Sequence, residues 1–333
     1  MAEYKGIVIC GELTDGKLPS ITTELLGCGR NLADQLKEDL SCLLASDAVG
    51  EAPKEAIAFG ADKVYAVEDP ALKDYQADSY IQVAEKLAKD VSPRAILMGQ
   101  TSMGRDLAPR LAFRLGVGLS MDCLDLSIDP ESKLLLQTRS VYGGNGQATF
   151  ICDVMPQIVT IRAKAMTPIE RDDSRKGEII ATKVEIDVSK VKPKIIEKVK
   201  EEVAGVKLED ASVIVSGGRG LGGPEPFNTA LKELADVLRG AVGASRPPAD
   251  NGWVPEALHI GLTGKIVAPD IYIAIAISGA SQHIAGCSGS KNIIAINKDP
   301  EANIFREAKF GVVGRYEEVV PAFTQKLKEL LAG

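Results

Sequence analysis

Two glycine-rich turns, each following a run of aliphatic residues, are the segments of this chain with the clearest chemistry. The first, Ser216–Gly223, has the spacing G-x-G-x-x-G, and the second is Ser278–Ala280. Glycines at such spacing let backbone N–H groups approach a phosphate closely, where a helix N-terminus also favours an anion. Arg219, inside the first turn, could pair with phosphate oxygens as a fork, or could be a solvated loop residue. We therefore predict a nucleotide-binding site built from both turns.

Other kinds of chemistry are not indicated. The six cysteines show no C-x-x-C spacing, and His259 and His283 are the only histidines, so we predict no metal site. No nucleophile–base set stands out, and we predict no catalytic residues. The net charge of -7 argues against nucleic-acid binding.

The length of 333 residues is enough for two domains. The longest apolar run, Ile271–Ile277, is far shorter than the ~20 residues that a membrane helix needs. The N-terminus contains an acidic residue and enters an apolar segment at once, unlike a signal peptide. We therefore expect a cytoplasmic bacterial protein without membrane insertion.

The first half of the chain alternates strand-like and helical patterns, which predicts an α/β domain with a mostly parallel sheet. Strand-like segments between Cys123 and Arg162, separated by turn signals, predict an antiparallel extension of that sheet. A charged stretch follows over 171–208, with one strand predicted at Lys183–Val188. We predict an N-terminal scaffold domain over 1–208, with the charged stretch as its linker, and a second domain over 209–333.

The second domain must bring the two glycine turns together. Its pattern predicts strands at Ser212–Val215, Ile271–Ile277 and Asn292–Asn297, with helices at Phe227–Val242 and Ala280–Ala285. Strands that alternate with helices in this way predict a Rossmann-like doubly wound domain, which binds ligands at the carboxyl ends of its strands.

The second domain resembles the flavin domain of the electron-transfer flavoprotein α subunit. The similarity covers nearly all of Val213–Lys326, through SGGRGLGGPEPFNTALKELADVLRGAVGASR, GLTGKIVAPDIYIAIAISGASQHIAG and IIAINKDPEANIFREAKFGVVG. It extends more loosely to TSMGRDLAPRLAFRLG and TRSVYGGNGQATF in the first half. The resemblance implies one FAD in this domain and a heterodimer with a β subunit, which itself could hold AMP or a second FAD. It also implies an electron carrier rather than a stand-alone catalyst, with a flavin-dependent dehydrogenase such as an acyl-CoA dehydrogenase as its partner.

The resemblance also implies roles for individual residues. Arg246 near the flavin ring would favour its negatively charged reduced forms; neutralising a helix C-terminus is the plainer role and could coexist with it, but the resemblance favours the ring. Thr263 would hydrogen-bond flavin N5, His283 would donate to the flavin C2 oxygen, and Asn297 would lie near the adenosine end. The complete set of implied FAD contacts is Arg219, Ser245, Arg246, Gly261, Leu262, Thr263, Ser278, Gly279, Ala280, Ser281, Gln282, His283 and Asn297.

Two positions depart from the family. Leu262 stands where the family commonly has glutamine, and Arg315-Tyr316 stands where it often has Asp-Leu. We transfer no binding role to Arg315. Two alternatives stay open: an electron-bifurcating, NADH-linked complex with two FADs, and a nucleotide-binding scaffold without redox work. An NAD-dependent dehydrogenase is a weaker interpretation, because no acidic residue clearly follows the fingerprint at a strand end.

Overall fold

The computed structural model describes residues 4–142, 146–193, 195–197 and 207–331. The chain divides into two compact units, unit 1 (Met1–Lys198) and unit 2 (Val199–Gly333). Both are α/β, which confirms the predicted fold class. The domain boundary at residue 208 stays a prediction, and the predicted linker over 171–208 lies partly outside the described residues.

Unit 1 is built around a 9-stranded sheet with helices. Its elements are β1 (Ile7–Cys10), α1 (Ser20–Leu36), β2 (Leu40–Ser46), α2 (Ala52–Ala58), β3 (Lys63–Glu68), α3 (Ala77–Val91), β4 (Ala95–Gly99), α4 (Ser102–Leu115), β5 (Leu119–Ile128), β6 (Leu135–Val141), β7 (Gly146–Ile151), β8 (Gln157–Ile161) and β9 (Glu178–Ala181). The strand order is β7-β6-β5-β8-β4-β1-β2-β3-β9. The pairs β5–β6 and β6–β7 are antiparallel, and the other pairs are parallel. The predicted antiparallel extension is therefore confirmed.

Strand β1 shows why this sheet is covered on both faces. All four of its residues are buried, with Ile7 and Ile9 in the cluster that includes α1 and α2. Val8 and Cys10 belong to the opposite cluster, which includes α3 and α4. Successive side chains of a strand point to opposite faces, so a central strand between two helix layers is apolar throughout.

Helix α4 begins at Ser102, and the Thr101 hydroxyl caps it by accepting from the Gly104 N–H at 3.0 Å. One predicted element of unit 1 needs correction. The strand predicted at Lys183–Val188 is wrong, since β9 (Glu178–Ala181) pairs with β3 instead. Val184 and Ile186 of this segment pack against the cluster of α3 and α4 without forming a strand, and the Asp187 N–H donates to Gln82 Oε1 at 2.9 Å.

Unit 2 has a 5-stranded parallel sheet with helices. Its elements are β10 (Val213–Gly217), α5 (Glu225–Asn228), α6 (Ala230–Val237), β11 (Ala241–Ala244), α7 (Arg246–Asp250), β12 (Ile271–Ile275), α8 (Ser281–Cys287), β13 (Asn292–Asn297), α9 (Ile304–Glu307), β14 (Phe310–Val313) and α10 (Tyr316–Leu331). The strand order is β11-β10-β12-β13-β14. From β10 the chain adds β11 on one side of the sheet, and β12, β13 and β14 follow on the other side. This is a doubly wound order, and its crevice lies between β10 and β12, where the direction reverses.

The helix predicted over Phe227–Val242 is wrong after Val237. It is broken into α5 and α6, and Arg239, with a φ of 53°, and Gly240 turn the chain into β11. The sequence of β11, AVGA, is short and mostly of small residues, so it carries no strand signal. As a result Arg246 begins a short helix after a strand, and its interpretation as a residue at a helix C-terminus is wrong.

The described residues contain no helix that is both long enough and apolar enough to span a bilayer.

Candidate functional site

A cavity of about 810 Å³ opens in unit 2 at the carboxyl ends of β10, β11, β12 and β13. It lies at the crevice that the strand order predicts. All the predicted site residues line it except Gly279 and Ser281. Those that do are Arg219, Ser245, Arg246, Gly261, Leu262, Thr263, Ser278, Ala280, Gln282, His283 and Asn297. Their contact with a cofactor stays a prediction.

Gly279 shapes the cavity from behind. Its φ is 84°, and a Cβ added there would lie 2.2 Å from the backbone N of Ile304. The same Ile304 N–H donates to the Ser278 carbonyl at 3.1 Å. Glycine is therefore required for the turn that presents Ser278 to the cavity. Ser281 begins α8 and is exposed, with its hydroxyl 3.3 Å from Gln282 Oε1.

The first glycine turn packs against the residue that follows β12, and it contains only a short 3-10 helix, Arg219–Leu221, rather than the start of an α-helix. A Cβ on Gly218 would lie 2.2 Å from the carbonyl oxygen of Ala276, whereas a Cβ on Gly223 would meet nothing within 4 Å. The next helix, α5, starts only at Glu225 and has 4 residues. The close approach of Gly218 to the strand end is what requires a glycine in this turn, and phosphate binding by the turn stays a prediction.

The two arginines of the site differ in their partners. Arg246 Nε is 3.2 Å from Asp250 Oδ2, and both side chains are exposed. The guanidinium of Arg219 is exposed, and in the described part of the chain nothing pairs with it. Arg219 is thus the cation with its donors available for a phosphate.

The loop Ile260–Lys265 is fastened to α8 through its backbone. The Leu262 N–H donates to the Gln282 carbonyl at 2.7 Å, and the Gly261 N–H donates to the Lys265 carbonyl at 3.1 Å. These bonds hold Thr263 at an exposed position on the cavity wall. They also leave the apolar side chain of Leu262 40% exposed beside it.

His283 has no free donor in this arrangement. Its Nδ1 lies 2.9 Å from the Ile260 carbonyl oxygen, and its Nε2 lies 3.0 Å from the Tyr272 hydroxyl. A carbonyl only accepts, so Nδ1 carries the proton and Nε2 accepts from Tyr272. Burial lowers the pKa of His283 to about 4, so the ring is neutral at pH 7. Both ring nitrogens are thus bonded within the protein, and the predicted donation from His283 to the flavin C2 oxygen stays a prediction.

The side chain of Asn297 joins two strand ends. Its Nδ2 donates to the Ile277 carbonyl at 2.9 Å, and its Oδ1 accepts from the Asp299 N–H at 3.0 Å. Asn297 therefore keeps the ends of β12 and β13 in register at the cavity. Any contact of its side chain with the adenosine end of a cofactor stays a prediction.

Sequence reasoning missed several residues of the cavity wall. Asp250, Asp299, Glu301 and Asn303 line it without a motif that would have marked them. His259 was missed as well, although it is only 3% exposed and lines the cavity together with His283. A lone histidine carries no pattern, and only the fold brings it to this wall.

The wall has the properties that a dinucleotide requires. The volume of about 810 Å³ lies within the ~300–1,000 Å³ of ligand pockets. Among the described residues none accepts a hydrogen bond from the backbone N–H groups of Ser278, Gly279 or Ala280, which are therefore available to an anion. With the unpaired Arg219 nearby and apolar residues such as Ile277 and Leu262, the site can hold a phosphate and an aromatic ring together. The residues present fit FAD.

Comparisons with known proteins agree with this geometry. A family model described as the electron transfer flavoprotein domain matches residues 7–187, and one described as the electron transfer flavoprotein FAD-binding domain matches residues 207–288. The chain is 47% identical over 331 residues to the electron transfer flavoprotein subunit alpha of Thermoanaerobacterium thermosaccharolyticum, covering 99% of this chain and 100% of that protein. It is 45% identical to the protein of the same name from Megasphaera elsdenii, covering 99% and 98%. It is 37% identical to the acryloyl-CoA reductase electron transfer subunit beta of Anaerotignum propionicum, covering 98% and 96%.

Proposed function

The chain belongs to the electron transfer flavoprotein α-subunit family, and we propose that it carries electrons on one FAD as a heterodimer with a β subunit. The matched FAD-binding domain spans the two glycine turns and most of the cavity wall. The observation that carries the proposal is the composition of this cavity. It is lined by the unpaired Arg219, by the turn Ser278–Ala280 with its free backbone N–H groups, and by the loop Ile260–Lys265, which is bonded to α8. Bound FAD would supply a ring that accepts and releases electrons.

The phosphate end of the site is assigned to Arg219 and the turn at Ser278–Ala280. Arg219 offers a planar fork of donors that matches phosphate oxygens. The backbone N–H groups of the turn add fixed donors, and Gly279 sets their direction through its positive φ. Together these groups bind and orient a diphosphate.

The ring end is assigned to the loop Ile260–Lys265 and to Arg246. Thr263 offers a hydroxyl from a loop whose backbone is already bonded to α8, so it needs little ordering on binding. Arg246 offers a positive charge that favours electron density on the ring. Leu262 covers this end with an apolar side chain, which excludes water but donates no hydrogen bond.

The proposed partners follow from the family and from one relative. The β subunit would complete the complex and hold an AMP. The name of the Anaerotignum propionicum relative connects that protein to a CoA-thioester reductase. A flavin-dependent acyl-CoA dehydrogenase is therefore the class of electron donor that we propose for this chain.

The carrier function is tested by electron uptake from such a donor. We expect the visible flavin absorbance of the co-purified αβ complex to be lost when a substrate-reduced acyl-CoA dehydrogenase is added. Denatured complex at the same FAD concentration is the control, and it should remain oxidised. A native complex that holds FAD but stays oxidised with this donor would contradict the proposed partner class and the carrier function with it.

A further inference from the structure

The two histidines of the cavity wall are not equivalent. Both are buried, and both line the cavity. The ring of His283 uses both nitrogens within the protein, on Ile260 and Tyr272. The ring of His259 has one recorded partner, Glu256 Oε1, at 3.3 Å from Nδ1. Across the described ranges no group bonds to His259 Nε2.

Two glycines fix the orientation of the His259 ring. A Cβ added to Gly264 would lie 2.7 Å from Nδ1, and one added to Gly261 would lie 3.1 Å from Nε2. The ring therefore lies under the loop that carries Leu262 and Thr263. Gly261 lines the cavity, and its lack of a side chain leaves the Nε2 edge uncovered.

The hydrogen-bonding state of this ring follows from its partner. The Glu256 side chain is exposed, and a carboxylate only accepts, so Nδ1 donates to it. Nε2 then accepts when the ring is neutral and donates when it is protonated. Because His259 lines the cavity and no described residue bonds to Nε2, a ligand in the cavity is the group that can form this hydrogen bond.

We propose that His259 Nε2 hydrogen-bonds the flavin half of bound FAD and supplies the side-chain contact that Leu262 cannot make. The flavin half is the group involved because His259 lies beneath the loop of Thr263, which we assign to the ring. The inference rests on the proposed function. It makes His259, rather than His283, the cavity histidine with a nitrogen available to the cofactor.

A pair of amide substitutions tests the assignment. His259→Gln places an amide at about the distance of Nε2, whereas His259→Asn places it at about the distance of Nδ1, where it can still reach Glu256. We expect the dissociation constant of FAD from the αβ complex to rise about tenfold in H259N and to stay within about threefold of wild type in H259Q. We also expect the flavin midpoint potential to shift in H259N only.

A remote substitution controls for lost stability. Thr324→Val removes a buried hydroxyl that donates to the Val320 carbonyl at 2.8 Å in α10, far along the chain from the cavity loops. Its FAD affinity and potential should equal those of wild type. Wild-type affinity and potential in both H259 variants, or equal losses in both, would overturn the inference. A wild-type complex that binds no FAD would instead refute the proposed function.

Discussion

Replacement of Gly279 with alanine is expected to lower the free energy of unfolding of unit 2 by about 2–5 kcal/mol and to abolish stable FAD binding. The φ of 84° disfavours any L-residue, and the new Cβ would lie 2.2 Å from the Ile304 backbone nitrogen. That nitrogen is held by its bond to the Ser278 carbonyl, so the clash must move the turn that faces the cavity. Urea unfolding and FAD titration measure the two effects.

Gly222→Ala is the matched control for this substitution. Gly222 has nearly the same φ, 82°, but a Cβ there would meet nothing within 4 Å. Only the cost of the left-handed conformation applies, about 1–2 kcal/mol, and FAD binding should persist. Equal losses of stability in G222A and G279A, with FAD kept by both, would contradict the account. The close contact between Gly279 and α9 would then not explain why residue 279 is glycine.

Acidification is expected to destabilise unit 2 through His283. Its pKa is about 4 in the fold, against 6.5 ordinarily, because burial disfavours the charged ring. Between these values the unfolded chain binds the proton and the folded chain does not. The stabilisation is therefore complete above pH 6.5 and is lost as the pH falls towards 4, by roughly 3 kcal/mol in all.

The His283→Gln variant isolates this contribution. We expect the unfolding free energy of wild type to fall more steeply than that of H283Q between pH 7 and pH 4.5, as measured by urea denaturation at each pH. The titratable neighbours are present in both proteins: His259, Tyr272, which bonds the ring, and Cys287, which bonds the His283 backbone carbonyl. Parallel pH profiles would mean that His283 is not held neutral.

Where the aliphatic and glycine patterns of the sequence were strong, they predicted the strands and turns that position the cavity residues. The strand Asn292–Asn297 has the predicted bounds, and the turn at Ser278–Ala280 follows β12 as expected. The strand Ala241–Ala244 was missed because small residues carry little strand propensity, and its parallel pairing with β10 decides its conformation instead. The sheet, rather than the segment, determines this element.

The roles of the histidines depended on contacts that no local pattern contains. His283 is neutral because of its burial, and its tautomer is set by Tyr272 and by the Ile260 carbonyl, 23 residues earlier in the chain. Family resemblance pointed to residues that the fold brings to one cavity, among them His283, whose ring N–H is bonded to the Ile260 carbonyl. His259 could be found only once the fold had placed it beside Gly261.

The measurement that tests the account most directly is the nucleotide content of the co-expressed αβ complex. After denaturation and chromatographic separation, we expect one FAD and one AMP per αβ pair, with the visible absorbance moving from the protein fraction to the released FAD. Two FADs per pair would contradict the one-FAD carrier and favour an electron-bifurcating complex with the second FAD on the β subunit. A complex with no flavin, even after reconstitution with FAD, would contradict the redox account and leave a nucleotide-binding scaffold.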